Sequence, residues 1–410
     1  MNLLELKLKN IGPFKNCSID LAKNKDDDGY NVDQPTGKHL IITGENGTGK
    51  SIVIDAIRTI LYGELIQIKT VLERNIISNN ADFKILSKFS LGRDVIFIES
   101  NNHTKDLFIT TNQYKFNIHI SVDISKDYTT DFVLEYWNSV LNTERFEING
   151  LELLDPKEIF SNPLTGVHKN INVAKTIAFF DYLKGAEHKH EAEVGTFLFD
   201  TSIKIINSCI NDGHFLEMSR TKLTPLFMQY GHELTIDKLS SASVYLIQRM
   251  LSLLCKAYAA YVINSKSLSD ILNVSGLLLI DEAETHLHPK WQKILFKTIL
   301  EFFPNIQIIA TTHSPFIVSS LENAEVMVCK ANKDGCFIEN ETEVYSNKPI
   351  EEIIRTPLFD TDSFNIRISN LLKSRKKAIL EGDDKTQKEI EKKLEIANPE
   401  YFKYFKIDDL

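Results

Sequence analysis

Apolar and polar positions alternate from the first residues. Leu4, Leu6 and Leu8 fall on one side and Glu5, Lys7 and Lys9 on the other, the period-two pattern of a strand with one wet face. Ile11-Gly12-Pro13-Phe14 then turns the chain into a second strand over 17–21, which predicts a hairpin. Residues 22–37 are polar, contain Asp26-Asp27-Asp28-Gly29, and read as a surface loop. The β-branched run Leu40-Ile41-Ile42-Thr43 predicts a buried parallel strand. Residues 52–61 place apolar side chains at helical spacing, with Tyr62-Gly63 as the C-cap. Strands follow over 83–91, 94–99 and 106–111, with Asn101-Asn102 as a turn.

The middle of the chain gives a less regular pattern. It predicts a strand over 116–122, a helix over 132–141 carrying Trp137, a short strand over 177–181 and a helix over 193–211. Pro156 and Pro163 punctuate a loop region between them. Further on, a helix starts near Leu239, and apolar strands cover 277–280 and 306–310. Helices over 369–380 and 386–396 flank the charged turn Glu381-Gly382-Asp383-Asp384-Lys385. The second of these alternates Lys and Glu, as a solvated helix does. Tyr401-Phe402-Lys403-Tyr404-Phe405 is too apolar for a free tail, and its rings are expected to dock on the head or on another subunit.

The chemistry begins at Gly44-Glu45-Asn46-Gly47-Thr48-Gly49-Lys50-Ser51, a complete phosphate-binding loop between the strand at 40–43 and the helix at 52–61. Glycines let backbone amides wrap a polyphosphate, and the helix N-terminus adds partial positive charge. Lys50 would reach the β- and γ-phosphates of ATP, and the Ser51 hydroxyl would ligate Mg²⁺. Leu277-Leu278-Leu279-Ile280-Asp281-Glu282 delivers two acids at the end of a buried strand, where open α/β sheets hold their ligands. Asp281 would hold the Mg²⁺ shell, and Glu282 would orient and deprotonate the attacking water. A third strand ends at Thr311-Thr312-His313-Ser314-Pro315, and His313 is placed to hydrogen-bond the γ-phosphate. A small-molecule kinase needs the phosphate loop but not Glu282, the 284–289 segment and His313 together. The Glu381-Gly382 turn resembles the first element of a Toprim nuclease, but fewer than thirty residues follow it and none supplies the further metal-binding acids. The chain carries no nuclease signature.

Asp281-Glu282-Ala283-Glu284-Thr285-His286-Leu287-His288-Pro289, followed by Thr311-Thr312-His313-Ser314-Pro315, resembles the ABC-type ATPases of the RecF/SMC and overcoming-lysogenisation class. More narrowly it is similar to ATPases of anti-phage systems such as Septu-type PtuA and PARIS-type AriA. The likeness covers roughly residues 1–65 and 236–320. It implies an α/β fold: an ABC-type P-loop ATPase head, a mixed sheet with helices on both sides, with a mostly helical insertion and a C-terminal helical tail. The residue pattern then divides the chain into head lobes at 1–113 and 236–345, a mostly helical insertion at 114–235, which the likeness leaves unassigned, and a helical extension at 346–410. The likeness also implies a homodimer or higher homo-oligomer sandwiching ATP, with Glu284–Pro289 as a contact loop, His313 as a switch histidine, and a separate effector, a nuclease or toxin. The family signature resembles Leu-Ser-Ser-Gly-Glu; here Leu239-Ser240-Ser241-Ala242-Ser243 stands in its place, and Ser240 would grip the phosphate of the opposite subunit. Ala242 and Ser243 depart from the pattern, and a methyl group at a close backbone approach predicts slow turnover. Gln67 and Gln113 are candidates for the glutamine that such proteins carry before the insertion.

Composition narrows the class further. With 43% hydrophobic and 25% charged residues the chain reads as globular, and no unbroken apolar run reaches bilayer length. The N-terminal residues lack a basic segment followed by an apolar core, and five scattered cysteines read as reduced thiols, so a cytoplasmic location away from membranes is expected. A net charge of −9 leans against general nucleic-acid binding but leaves room for a local basic stripe, as a RecF-type DNA-binding repair ATPase would need.

Overall fold

In a computed structural model of the protein, the alternating N-terminal segment is strand β1 (Asn2–Ile11), paired antiparallel with β2 (Phe14–Asp20). The structure describes residues 1–22, 37–62, 82–91, 94–101, 108–110, 115–117, 132–139, 150–151, 153–160, 172–333, 335–359 and 365–404. The apolar run at 40–43 lies in β3 (His39–Gly44), and the phosphate loop opens α1 (Lys50–Tyr62). β4 (Lys84–Leu91), β5 (Asp94–Asn101), β6 (Phe108–Thr110), β7 (Lys115–Asn117) and β8 (Phe132–Trp137) follow. Then come α2 (Pro156–Phe160), α3 (Val173–Lys184) and α4 (Lys189–Ser208), and a small sheet of β9 (Gly213–Ser219), β10 (Thr224–Gln229) and β11 (His232–Thr235). α5 (Ser241–Asn264), β12 (Ser275–Ile280), α6 (Pro289–Phe302), β13 (Ile306–Thr311), α7 (Pro315–Val318), β14 (Ala324–Asn332), β15 (Gly335–Asn340) and α8 (Thr342–Tyr345) complete this unit.

Among the described residues the large sheet runs β7-β6-β5-β4-β1-β2-β15-β14-β3-β13-β12-β8. Its half from β14 to β8 is parallel, while β1, β2, β4, β5, β6 and β7 are joined antiparallel. The fold is therefore α/β with a mixed sheet. The division follows from the connections: hairpins allow antiparallel neighbours, whereas β12–α6–β13 needs a crossover helix. Leu6, Leu8, Ile85 and Phe89 from the antiparallel half bury against Val53 and Ile57 of α1, forming one core. That core joins the N-terminal hairpin to the helix behind the phosphate loop.

Two expected elements change type. Residues 132–141 were predicted as a helix, but Phe132–Trp137 is a strand paired in parallel with β12. Glu135 imitates the polar side of a helix in the sequence; in the fold it is fully buried and paired with Lys256 of α5, also accepting from Ser252 Oγ at 3.1 Å. The predicted strand at 177–181 lies inside α3, capped by Asn172, whose side chain accepts from the Lys175 amide at 3.2 Å. α3 buries Ile177, Ala178, Phe179 and Phe180 in succession, so it lacks the one-sided pattern that marks a surface helix. Residues 114–235 accordingly contribute strands to both sheets as well as helices. The predicted cap at Gly63, the loop at 23–36, and Gln67 and Gln113 lie outside the described residues.

α5 is long and apolar enough by composition to cross a bilayer, but 78% of its most apolar window is buried inside the fold, as in a core helix. The Lys256–Glu135 pair lies within that buried surface, with Lys256 also donating to the Leu134 carbonyl at 3.0 Å. Lys256→Met removes the cation from a buried carboxylate and is expected to cost about 3–5 kcal/mol, read as a lower urea midpoint. Pairing that change with Glu135→Leu should recover most of the loss. A loss no larger than that of an exposed lysine would contradict the argument.

Residues 348–410 form a separate compact unit of α9 (Ile350–Ile354), α10 (Ile366–Glu381), α11 (Asp384–Ala397) and α12 (Pro399–Tyr404). Gly382, at φ +70°, ends α10, and Asp383 caps α11, so the charged turn serves as a helix connection. The described part of the aromatic tail packs within this unit. Phe402 packs with Ile368, Ile390 and Leu394 of its own helical unit, and Tyr401 lies against the same cluster.

Candidate nucleotide site

The parallel strands set the site. β12, β13 and β3 are neighbours in register, Ile280 beside Ala310 and Thr311 beside Ile42, so their C-terminal ends meet at one rim. Ligands of open α/β sheets bind there because strand ends expose unpaired backbone and helix N-termini converge on them. β3 delivers the phosphate loop, β12 the acids and β13 the histidine.

Lys50 is 7% exposed, and its ammonium donates to the carbonyls of Gly44 at 3.0 Å and Glu45 at 2.8 Å. Thr48 Oγ1 donates to the same Glu45 carbonyl at 2.8 Å, which sets the curve of the loop. Two of the three ammonium protons are thereby used, and one remains for a phosphate oxygen. Gly44 and Gly49 have no substitutes. A Cβ at Gly44 would lie 2.3 Å from the Cys329 carbonyl, and one at Gly49 2.7 Å from the Phe14 ring, with φ at +143° and +99°. The N-terminal hairpin therefore packs directly under the loop. At Gly47, φ +80°, no atom of the described residues lies within 4 Å of the Cβ position.

Ser51 Oγ donates to Asp281 Oδ1 at 3.0 Å. Thr311 Oγ1 donates to that same carboxylate oxygen and accepts the Glu282 amide at 2.9 Å. One hydroxyl thus fixes both acids. Burial raises the pKa of Asp281, and the hydrogen bonds from Thr311 and Ser51 oppose the rise. A cation at this carboxylate would stabilise its charged form further. The donor set, one hydroxyl and one carboxylate, is of the oxygen type that Mg²⁺ takes. Among the described residues no cluster of three or more His, Cys, Asp or Glu could hold a metal by itself.

Glu282 is exposed at φ +54°, a left-handed conformation uncommon for a residue other than glycine. Glu284 accepts from Thr312 Oγ1 at 2.6 Å and from the His313 amide at 2.7 Å, clamping the turn after β13. Ser314 Oγ donates to Gln292 Oε1 at 2.6 Å, tying the same turn to α6. The His313 pKa is lowered by burial and by the Lys50 charge, with Glu284, Glu282 and Asp281 opposing. His313 therefore offers a neutral imidazole at pH 7. Lys50 in turn is pulled down by burial, against the opposing influence of Cys329, Glu284, Asp281 and Glu282.

The fold thus brings Lys50, Ser51, Asp281, Glu282 and His313 together. Ser240 stands apart. It is exposed at the N-cap of α5, where its hydroxyl accepts from the Ser243 amide at 3.1 Å and donates to Ser243 Oγ at 3.0 Å. Sequence reasoning did not single out Thr311, which fixes both acids, or Gln292. A hydroxyl residue at the end of a core strand, just before a histidine, was the available signal for Thr311.

A phosphate loop, an acid pair and a histidine on three neighbouring parallel strands define the ATPase class of ABC type. The chain belongs to the family described as "AAA domain, putative AbiEii toxin, Type IV TA system", whose model matches residues 40–319. It is 34% identical over 124 residues to the Retron Vc95 probable ATPase of Vibrio cholerae serotype O1 biovar El Tor, covering 30% of this chain and 23% of that protein. It is 40% identical over 65 residues to the Septu protein PtuA of Bacillus thuringiensis, 16% of each chain. The chain thus matches under a quarter of the length of these relatives. Among solved structures it is similar to the SMC head domain from Thermotoga maritima, with TM-score 0.44, 13% identity, and coverage of 83% of this chain and 99% of that one.

Proposed function

We propose that this chain binds ATP with Mg²⁺, pairs with a second copy around the bound nucleotide, hydrolyses it slowly, and thereby controls a separate effector of nuclease or toxin type in anti-phage defence. The observation that carries the reading is the junction of Ser51 with Asp281 beside Lys50 and Glu282. The phosphate loop would cradle the triphosphate, with Lys50 on its β- and γ-phosphates. Ser51 and Asp281 would hold Mg²⁺, which when bound neutralises charge on the phosphate oxygens. Glu282 would accept a proton from water, and neutral His313 would donate to the γ-phosphate. The retron and Septu names of the relatives support the defence setting.

Pairing rests on Ser240. Its exposed helix start bonds to none of the phosphate-loop residues, so it is available to the phosphate held by another copy. Ala242 follows at the start of that helix, and its methyl group hinders close approach of phosphate. With Mg²⁺ and a non-hydrolysable ATP analogue, light scattering should show the 46.8 kDa chain double in mass. Steady-state turnover should stay well below the ~10 s⁻¹ typical of enzymes. A chain that stays monomeric with saturating analogue, or turns over rapidly alone, would reject this reading.

A second reading, direct DNA binding of the RecF type, is favoured by one surface. Lys7 and Lys9 are exposed on β1, and the β4 pairing sets Lys84 opposite Lys9 and Lys88 opposite Glu5. It would show as duplex binding that weakens with salt by about 0.9 log unit per phosphate contact and per log unit of salt.

A further inference from the structure

The loop carrying Glu282 is bent at two left-handed residues, Glu282 at φ +54° and His286 at φ +65°. Neither is glycine, so surrounding contacts must hold each bend. The first is held by Thr311, as described above. The second is held from a different part of the fold. His286 Nε2 lies 3.0 Å from the carbonyl of Ser139, just beyond β8. A carbonyl only accepts, so Nε2 carries the proton. The imidazole also lies against the Tyr245 ring, 5.8 Å between centroids.

Tyr245 and Arg249 belong to α5, the helix that Ser240 caps. Both are buried, and both reach the segment that receives His286. Tyr245 OH donates to the Asn138 carbonyl at 3.3 Å, while Arg249 donates to that carbonyl at 3.3 Å and to Asn138 Oδ1 at 2.7 Å. The preceding carbonyl, of Trp137, accepts the Asp281 amide at 2.9 Å. Residues 137–139 therefore receive bonds from the acid strand, the acid loop and α5.

We propose that His286 is a positioning residue for Glu282, and that Asn138 and Ser139, held by Tyr245 and Arg249, lock the Ser240 helix and the acid loop into one register. Resting on the ATPase reading, this adds that phosphate contact at Ser240 and water activation at Glu282 are mechanically linked. A force on the start of α5 reaches Tyr245 after roughly 7.5 Å of helix rise, and the acid loop through His286. The linkage runs through packed rings and hydrogen bonds, which have discrete arrangements and do not deform continuously.

Two measurements on the full chain test it. His286→Gly relieves the backbone strain while removing the anchor, so a merely structural role predicts unchanged or higher stability and unchanged turnover. The positioning role predicts at least a tenfold lower kcat, with affinity for a non-hydrolysable ATP analogue within twofold of the parent. Unchanged kcat would overturn it. The second measurement needs no nucleotide. Arg249→Met should speed hydrogen exchange at the amides of Ala283, Thr285 and Leu287, which are bonded to Thr311, Glu282 and Glu284, by tenfold or more. Unchanged exchange there overturns the link even if the parent protein hydrolyses nothing, while absent hydrolysis alone rejects only the ATPase reading.

Discussion

Lys50→Ala is expected to abolish nucleotide binding and turnover together. The ammonium is buried in the loop it serves, and it holds the Gly44 and Glu45 carbonyls as well as offering charge to a phosphate. Each charge-assisted hydrogen bond to phosphate contributes about 1.5–3 kcal/mol. Loss of one alone weakens Kd by roughly 10- to 150-fold, and the loop carbonyls lose their organising cation as well. Titration of a fluorescent ATP analogue into both proteins measures it directly. Wild-type affinity in the variant would mean that the triphosphate binds elsewhere. Because the Lys50 ammonium donates to two carbonyls at the start of its own loop, thermal stability should fall far less than binding.

Glu282→Gln should do the opposite to binding. The side chain is exposed and, among the described residues, its carboxylate accepts from Thr285 Oγ1 alone, at 3.2 Å, so the amide fits without disturbing the fold. Losing a general base lowers turnover by roughly 10²–10⁴-fold. Nucleotide affinity should be kept or improved, because one negative charge near the phosphates is removed. The variant should therefore collect as the ATP-bound dimer, visible as doubled mass with ATP itself where the parent needs the analogue. Parental turnover in this variant would move the base to another group.

Much of the site could be read directly because its chemistry is local. The phosphate loop needs glycines, a lysine and a serine in one continuous octapeptide, and strand and helix patterns on either side supply its context. Asp281 and Glu282 end an unbroken apolar run, and His313 follows another, so their placement at strand ends needs only short-range pattern. The helix over 193–211, found as α4 at Lys189–Ser208, and those near 369–380 and 386–396, found at Ile366–Glu381 and Asp384–Ala397, were equally accessible from periodicity.

Other features depended on partners distant in the chain. β8 was mistaken for a helix because Glu135 has no reason to sit in a buried strand until Lys256, 121 positions later, approaches it. α3 resembled a strand because it is covered on several sides and shows no polar stripe. Phe402 finds Ile368, Ile390 and Leu394 only once the helices that carry them are packed together. Thr311 acquires its role only where β13 lies alongside β12. By itself the sequence determined the phosphate-loop motif, the acid pair and the histidine, with the strands and helices that carry them, since those depend on neighbours within a few residues. Which side chains hold Glu282 and His286 in their left-handed conformations was decided by the tertiary structure alone, because those anchors come from β13, α5 and the residues just beyond β8, and only the assembled sheet brings these segments within reach.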